Sequence, residues 1–512
     1  MKYDVIVIGA GSAGGTIASR LAEDPDRSVL VLEAGPDYPD FEHYPDDVKF
    51  GYAPVASEMG ATHNWSFTGI STPQQPPIAV PRGKIVGGTS AINGQVFLRG
   101  VPDDYDNWAS WGNDEWSYIK VLPYFRKLET DTDIVDDFHG NTGPIPVRRH
   151  KREAWLPLQN AFQDAALDAG YPEVYDHNNP DSVGVGPFPM NNPNGVRMST
   201  SLTYIAASRH RLNLTIRGNV LVRRIIFEGT TAVGVEAESG GEMFTVDADQ
   251  IVLSAGAIAS PQLLMLSGVG PADHLRGHGI PVVKDSPGVG QNLRDHPLVA
   301  LRASVKPDFP LDPDAPRLQT LLRYTATGSK DRNDIQIFPS SFSTPLGGDP
   351  FAQEGIRFTC MLELAEGAGE ITLQDNDPTV QPNINCHHLE HPRDRERLRE
   401  AVRIGIKLMD HPAFKDILDE LLDPTPEDLA SEDALDNWML RSVWIGQHLS
   451  GTCKMGPSSD GMAVVDQYGR VHGIEGLRVA DASIMPDVIR ANTNLTTIMI
   501  GERIADWMAG QN

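Results

Sequence analysis

The stretch YDVIVIGAGSAGGTIASRLAEDPDRSVLVLEAG, residues 3–35, decides the fold. It opens with a short β-branched apolar run, which is typical of a strand buried on both faces. The pattern Gly9-Ala-Gly11-Ser-Ala-Gly14 follows at once and leads into apolar residues at helical spacing, and a second strand-like run ends at Glu33. These spacings predict a strand, a glycine turn, a helix and a second strand, which together form a βαβ unit.

Each part of the glycine pattern has a physical role in binding a dinucleotide. Gly9 permits the tight turn, Gly11 lets the backbone approach a pyrophosphate, and Gly14 lets helix and strand pack closely. The helix N-terminus then faces the phosphates, and Glu33 can accept hydrogen bonds from ribose hydroxyls. The unit therefore predicts a cofactor that contains ADP, and it leaves NAD and FAD open.

The composition is that of a globular protein, and the net charge argues against some classes of binding partner. Of the 512 residues, 40% are hydrophobic and 22% charged, which is enough to bury a large core. The net charge of −26 argues against sequence-independent binding to nucleic acid or anionic membranes, because both require basic patches. Three distant cysteines and the lack of metal-ligand spacing predict neither disulfides nor a metal site. The chain enters a strand directly and has no long apolar run, so we expect a cytoplasmic protein with no membrane span.

Two further stretches combine glycine with small hydroxyl residues. They are RGKIVGGTSAINGQVFLRG, residues 82–100, and GAIASPQLLMLSGVG, residues 256–270, which follows the predicted strand 250–254. Such runs let backbone N–H groups come close to an extended or phosphorylated ligand. We therefore expect both stretches to contact the cofactor.

These blocks resemble the signature segments of the glucose–methanol–choline (GMC) oxidoreductases, which use FAD. The segments FHGNTGPIPV, GVGQNLRDHP and GLRVADASIMP also resemble family blocks, in family order, and the resemblance runs from residue 3 to residue 508. It implies an α/β fold with a Rossmann-like FAD-binding domain. It also implies a discontinuous second domain, for the substrate, built on an antiparallel sheet flanked by helices.

The glycine pattern and the resemblance together predict the cofactor contacts. These are Gly9, Gly11, Ser12, Gly14, Glu33, Ala34, Arg82, Gly87, Gly88, Thr89, Ser90, Asn93, Gly94, Val96, Val222, Ala255, Asp481, Ala482 and Thr493. Some family members bind FAD covalently through a histidine at a place that is Ile92 in this chain, so non-covalent FAD is predicted. The family's light-driven decarboxylases carry a cysteine where this chain has Ala91, which argues against that branch.

The stretch GQHLSGTCKMG, residues 446–456, resembles the family's catalytic histidine block and points to His448. The second catalytic position falls on Asn492. Oxidation of an alcohol by hydride transfer requires removal of the hydroxyl proton, and histidine suits that task near neutral pH. Asn492 can hold the same oxygen through its amide. The segment after it predicts a helix whose N-terminus, at residues 493–494, favours negative charge on the reduced flavin.

The order of the flavin blocks predicts a discontinuous domain arrangement. Residues 1–150, 209–300 and 441–512 would form the FAD-binding domain, and residues 151–208 and 301–440 the substrate-binding domain. Two departures from the family pattern, Gln447 and the turn GAGEITL at residues 367–373, lie where substrate choice is made. The identity of the substrate is therefore not transferred from any relative.

The function predicted from these observations is FAD-dependent oxidation of an alcohol to an aldehyde or ketone, by hydride transfer to flavin N5 with His448 as base. The expected partners are a small-molecule alcohol and O₂ or another electron acceptor. Three alternatives remain open at this point. They are a non-redox hydroxynitrile lyase that keeps FAD as a scaffold, an NAD-linked dehydrogenase, and a binding or redox-sensing module without turnover.

Overall fold

The structure is a computed structural model and describes residues 2–51, 54–312, 314–343 and 355–510. The strands, in chain order, are β1 (Lys2–Ile8), β2 (Val29–Leu32), β3 (Phe67–Gly69), β4 (Ile78–Val80), β5 (Glu129–Asp131), β6 (Ile145–Val147), β7 (Gly184–Pro187), β8 (Leu214–Arg217), β9 (Leu221–Glu228), β10 (Thr231–Ser239), β11 (Glu242–Leu253), β12 (Val269–Gly270), β13 (Lys284–Asp285), β14 (Gln291–Leu293), β15 (Pro297–Val305), β16 (Thr320–Tyr324), β17 (Ile335–Ser343), β18 (Gly355–Leu362), β19 (Gly369–Thr372), β20 (Asn383–Asn385), β21 (Leu418–Asp423), β22 (Trp444–Ile445) and β23 (Leu477–Val479).

The α-helices alternate with these strands along the chain. They are α1 (Ser12–Leu21), α2 (Asp46–Lys49), α3 (Pro102–Ser110), α4 (Tyr118–Leu128), α5 (Pro157–Asp168), α6 (Ala206–Ser208), α7 (Gly256–Leu266), α8 (Ala272–Gly277), α9 (Pro392–Met409), α10 (Glu432–Ser442) and α11 (Thr493–Ala509). Within the described ranges, no helix is both long enough and apolar enough to cross a lipid bilayer.

The first large sheet contains the predicted βαβ unit. Its strand order is β8-β2-β1-β11-β10-β9, with β23 paired to β11. The contacts β8–β2, β2–β1, β1–β11 and β11–β23 are parallel, whereas β9 and β10 add antiparallel strands at one side. The four residues of β2 are all buried, as expected for a parallel strand covered on both faces. Helices α1 and α11 pack against each other beside this sheet, so segments about 480 residues apart in sequence are in contact.

The second large sheet is antiparallel, with the order β21-β15-β18-β17-β16-β7 and β22 paired to β15. Helices α5, α9 and α10 pack on one of its faces. Alternate residues of β15 and β18, such as Leu301 and Phe358, enter the apolar core beneath those helices. The predicted fold class, a Rossmann-like unit with an antiparallel sheet flanked by helices, is confirmed.

Candidate active site

A cavity of about 960 Å³ lies at the carboxyl ends of the parallel strands. Its walls include Gly9, Glu33 and Ser254, which directly follow β1, β2 and β11, and Asp481, the second residue after β23. Ligands of open α/β sheets bind at this edge, because the loops that follow several strands begin there and form a crevice. The volume is at the upper end of the range for small-molecule sites, which suits a ligand as large as a dinucleotide.

Most residues that the sequence assigned to the cofactor line this one cavity. The lining includes Gly9, Gly11, Ser12, Glu33, Ala34, Arg82, Gly88, Thr89, Asn93, Gly94, Val96, Val222, Ala255, Asp481, Ala482 and Thr493, together with His448 and Asn492. Three others, Gly14, Gly87 and Ser90, lie behind the lining and support it. A Cβ at Gly14 would overlap the carbonyl oxygen of Gly9, and the Ser90 hydroxyl donates to the carbonyl of Gly87 at 2.5 Å.

The turn after β1 fits the pyrophosphate of a dinucleotide. Gly9 has φ +92°, a conformation that favours glycine, and the turn brings the N-terminus of α1 to the cavity. Glu33 accepts hydrogen bonds from the backbone N–H of Ala10 and of Gly35, each at 2.9 Å. Burial raises the pKa of Glu33 to about 7, against the effect of those two N–H groups. Glu33 also lines the cavity, so a ribose bound there can donate to its carboxylate.

The N-terminus of the last helix also fits a flavin cofactor. Helix α11 begins at Thr493, as predicted, so its N-terminal N–H groups and the positive end of its dipole lie at the wall. The Ser12 hydroxyl donates to Asn494 Oδ1 at 2.7 Å. The Asn494 Nδ2 atom is buried without a hydrogen-bonding partner among the described residues, and Asn494 lines the cavity. Ile92 also lines it, and its hydrocarbon side chain offers no atom for a covalent bond to the cofactor.

The two residues predicted to be catalytic are in direct contact. The Asn492 Nδ2 atom lies 2.9 Å from His448 Nε2, and both side chains face the cavity. Because an amide nitrogen can only donate, Nε2 of His448 accepts this bond through its lone pair. An alcohol that enters the site can replace the amide as the donor to that lone pair.

A second histidine, His296, fixes the tautomer of His448. Its Nε2 lies 2.9 Å from the carbonyl oxygen of Ile489 and therefore carries a proton, which leaves Nδ1 as an acceptor in the neutral ring. The His448 Nδ1 atom lies 2.8 Å from that acceptor and so carries the other proton. With Asn492 Nδ2 as the donor, the chain of bonds from Ile489 to Asn492 describes a neutral His448 whose Nε2 is a hydrogen-bond acceptor.

Electrostatics agree with this hydrogen-bond chain. Burial, with smaller contributions from His296 and Arg82, lowers the pKa of His448 well below its ordinary 6.5. Burial likewise lowers the pKa of His296 to about 3. Both imidazoles are therefore uncharged at neutral pH, and His448 is ready to accept a proton.

The turn that carries His448 is held in an unusual conformation. Both oxygens of Asp295 accept backbone N–H groups of this turn, from Gly446 at 2.9 Å and from His448 at 2.7 Å. A Cβ at Gly446 would lie 2.7 Å from the carbonyl oxygen of His296, so only glycine fits there. Gln447 has φ +68°, which is strained for a residue with a side chain. Its Oε1 accepts a hydrogen bond from Arg82 at 2.9 Å.

Asp295 and His296 were not predicted to have a role, although their segment, GVGQNLRDHP, resembles a family block. A buried acidic residue next to a histidine is a weak signal by itself. Their roles depend on the fold, which brings the loop before β15 against the turn at residues 446–448, about 150 residues later in the chain.

Comparison with known proteins agrees with this architecture. The model of the GMC oxidoreductase family matches residues 3–298, and that of its C-terminal part matches residues 365–501. The chain is 38% identical to "Oxygen-dependent choline dehydrogenase 1" of Chromohalobacter salexigens, over 100% of this chain and 95% of the relative.

Solved structures with the same fold are also oxidoreductases. Pyridoxine 4-oxidase from "Mesorbium loti" superimposes with a TM-score of 0.91 at 30% identity and covers 100% of both chains. A formate oxidase from Aspergillus oryzae, described with FAD modification, superimposes with a TM-score of 0.90 at 25% identity and covers 100% of this chain and 98% of its own.

Proposed function

This chain belongs to the GMC oxidoreductase family and is an FAD-dependent enzyme that oxidises an alcohol, and we propose that His448 is the base of this reaction and Asn492 its partner. The observation that carries the proposal is the 2.9 Å contact between Asn492 Nδ2 and His448 Nε2 at the cavity wall. One of these atoms is a donor and the other an acceptor. A hydroxyl group needs both: an acceptor for its proton and a donor for its oxygen.

The proposed reaction begins when the substrate hydroxyl displaces the contact between the two side chains. The hydroxyl then donates to His448 Nε2, while its oxygen accepts a hydrogen bond from Asn492 Nδ2. When bound, FAD supplies the acceptor for the hydride, the N5 atom of its ring system. Transfer of the hydroxyl proton to His448 raises the electron density on oxygen, so that the carbinol C–H bond can release hydride and the product becomes an aldehyde or ketone.

His296 is a positioning residue in this proposal. It holds the ring of His448 with Nδ1 protonated, so that Nε2 always presents its lone pair to the substrate. After proton transfer the Nδ1–H bond to His296 becomes charge-assisted, and such bonds are stronger than neutral ones. This interaction offsets the cost of a cation at a buried site beside Arg82.

The predicted cofactor residues and domain division are part of the same proposal. The positions of Gly9, Gly11 and Glu33 support a dinucleotide half-site at the first sheet, and those of Thr493 and Asn494 support a ring site near His448. The division into residues 1–150, 209–300 and 441–512 for FAD and 151–208 and 301–440 for the substrate is supported by most strands of the two large sheets. The exceptions are β22 and the first residues of β15, which lie in the FAD segments but pair in the second sheet.

We further propose O₂ or another small carrier as the acceptor that reoxidises the flavin, and the cytoplasm as the location. The name of the Chromohalobacter relative, an oxygen-dependent enzyme, favours O₂ as the first acceptor to try. The similar proteins named after choline and pyridoxine support a small-molecule alcohol as the substrate.

The experiment is an anaerobic visible spectrum of the purified holoenzyme before and after addition of a panel of alcohols, followed by admission of air. Bleaching of the flavin band by an alcohol is the expected result. Prompt return of the band in air would identify O₂ as the acceptor, and slow return another carrier. Cleavage of a cyanohydrin with no bleaching by any alcohol would contradict the proposal.

A further inference from the structure

The face of the antiparallel sheet opposite its helices forms one wall of the cavity. Strand residues alternate between the two faces, so the wall receives every second side chain of β15, β17 and β18. The residues of this sheet that line the cavity are Leu298, Ala300, Gln336, Phe338, Arg357, Thr359, Met361, Trp444 and Ile445. Most of them are apolar, and Gln336 is a buried exception.

The register places Gln336 at a defined distance from the catalytic pair. It is paired with Met361, Met361 with Leu298, and Leu298 with Trp444, so these residues form one row across four strands. Neighbouring strands are ~4.8 Å apart, which puts Gln336 roughly 10 Å from the strand that begins beside His296. A substrate whose hydroxyl contacts His448 would therefore pass under Leu298 and Met361 before it reaches Gln336.

The amide of Gln336 is positioned to bind something that the protein does not supply. The residue is 3% exposed, and its Nε2 atom has no hydrogen-bonding partner within the described ranges. A buried donor without a partner costs about 1–3 kcal/mol. Because the side chain lines the cavity, a ligand can satisfy it.

The charges near the catalytic pair disfavour a cationic substrate. None of the side chains that this wall presents to the cavity is a carboxylate, whereas Glu33, Glu58, Asp314 and Asp481 line other parts of it. The two buried acids nearest the catalytic pair, Asp295 and Glu363, have pKa values that burial raises. The guanidinium of Arg82 is close enough to help lower the pKa of His448, and it is hydrogen-bonded to the neighbouring Gln447. A quaternary ammonium group is bound by aromatic faces and negative charge, and a fixed positive charge beside the site opposes it.

We propose that Gln336 binds a second, uncharged polar group of the substrate, and that the enzyme prefers neutral alcohols with such a group over quaternary-ammonium alcohols. The inference rests on the proposed function, because it takes His448 as the residue that binds the reacting hydroxyl. It adds the substrate class and a residue that determines specificity.

The test compares straight-chain α,ω-diols with 1-alkanols of equal carbon number, from two to eight carbons. Binding to the dithionite-reduced holoenzyme is measured by calorimetry, because the reduced flavin has no capacity for another hydride and the titration reports binding alone. At the chain length that spans His448 and Gln336, we expect the diol to bind about three- to tenfold more tightly than the alkanol. This is the gain in affinity that one neutral hydrogen bond provides. In Gln336→Met this advantage should disappear.

A matched control is Gln163→Met, which alters a buried glutamine of α5 that does not line the cavity. Gln163→Met should keep the diol advantage. If it loses the advantage as well, the loss in Gln336→Met is due to a perturbed core and not to the missing amide. A diol advantage of equal size in wild type and Gln336→Met, or none at any length in wild type, would overturn the role of Gln336.

The charge preference is tested with choline and its uncharged isostere 3,3-dimethylbutan-1-ol under the same conditions. We expect the isostere to bind at least as tightly as choline, and tighter binding of choline would overturn the substrate class. These titrations are separable from the proposed function. If no alcohol bleaches the oxidised enzyme but the diol preference persists in binding, the assignment of His448 fails and that of Gln336 stands.

Discussion

Two buried histidines of this protein, His448 and His139, have opposite electrostatic states. They are 8% and 5% exposed, and in each the two ring nitrogens contact hydrogen-bonding partners. Burial and nearby positive charge lower the pKa of His448 well below 6.5. Burial alone would also lower that of His139, but hydrogen bonds to Asp131, Asp176 and Glu129 raise its pKa to about 10.

The difference shows that the neighbours of a buried histidine decide its function. His448 contacts another imidazole and an amide, so it stays neutral and can accept a proton. His139 lies 3.0 Å from Glu129, 3.1 Å from Asp131 and 2.9 Å from Asp176. It therefore acts as a structural cation.

The cluster around His139 has the spacing of a metal site, since ligand atoms of Glu129, Asp131 and His139 lie within 4.8 Å of one another. Two guanidinium groups, those of Arg99 and Arg149, already pair with its carboxylates. Together with protonated His139 they balance the three acidic side chains. The ion pairs thus account for the arrangement of these side chains.

The largest expected effect follows from removal of the neutral histidine. In His448→Ala, the rate constant for flavin reduction by an alcohol should fall by about a hundred- to ten-thousand-fold, the usual contribution of a general base. Anaerobic rapid mixing measures it, with the flavin spectrum as the control for cofactor content. Added imidazole should restore part of the rate, and a variant as fast as wild type would exclude His448 as the base.

Removal of the charged histidine should affect stability and leave the chemistry unchanged. In His139→Leu the carboxylates lose a buried partner, so the free energy of unfolding should fall by about 3–5 kcal/mol. Urea denaturation of the holoenzyme measures this change. The control is His411→Ala, which removes a more exposed histidine that contacts Asp168 and accepts the backbone N–H of Ala413. It should cost about 1 kcal/mol or less. Equal stability of the two variants would show that the cluster is dispensable.

Removal of His296 should have an intermediate effect on the rate. His296→Leu deletes a hydrogen bond to a histidine that becomes charged, which is worth about 1.5–3 kcal/mol or roughly ten- to hundredfold in rate. His296→Asn places an amide oxygen near the position of Nδ1 and should recover much of the loss. If both variants slow flavin reduction equally, the acceptor role of His296 is wrong.

The smallest effect is the pH dependence of stability. Because the folded pKa of His139 is raised from 6.5 to about 10, its stabilisation is fully present below pH 6.5 and is lost as the pH rises through 10. The difference in melting temperature between wild type and His139→Leu should therefore shrink between pH 8 and pH 11. A constant difference over that range would mean that His139 is neutral.

The sequence was sufficient to predict the βαβ unit of the first sheet, because that unit depends on local spacing. Most residues predicted to contact the cofactor line one cavity, and several of them were assigned through the family resemblance. The glycine pattern and the run that ends before Glu33 are contiguous, and β1, α1 and β2 follow them closely. The helix after Asn492 was predicted for the same reason. His448 and Asn492 were identified from motifs, and the structure brings them into contact.

The rest of the site depends on strand register and on contacts between distant segments. Gln336 faces the cavity because of its pairing with Met361 and Arg323, which no local pattern specifies. His296 and Asp295 acquire their roles through a turn about 150 residues away. Glu33 was expected to bind ribose, and the structure adds that two of its lone pairs are already used by backbone N–H groups.

The central claim, that His448 is the neutral base, is tested most directly by the pH dependence of the second-order rate constant for flavin reduction at low alcohol concentration. A base must be unprotonated to act, so the rate should be lost as the pH falls through the pKa of His448. Since that pKa lies well below 6.5, we predict a constant rate from pH 9 to pH 6.5 and a decline only at lower pH. A decline of the rate centred at pH 7 or above would contradict the account if the same decline is absent from His448→Ala. It would mean that His448 titrates at that pH and is charged in the resting enzyme.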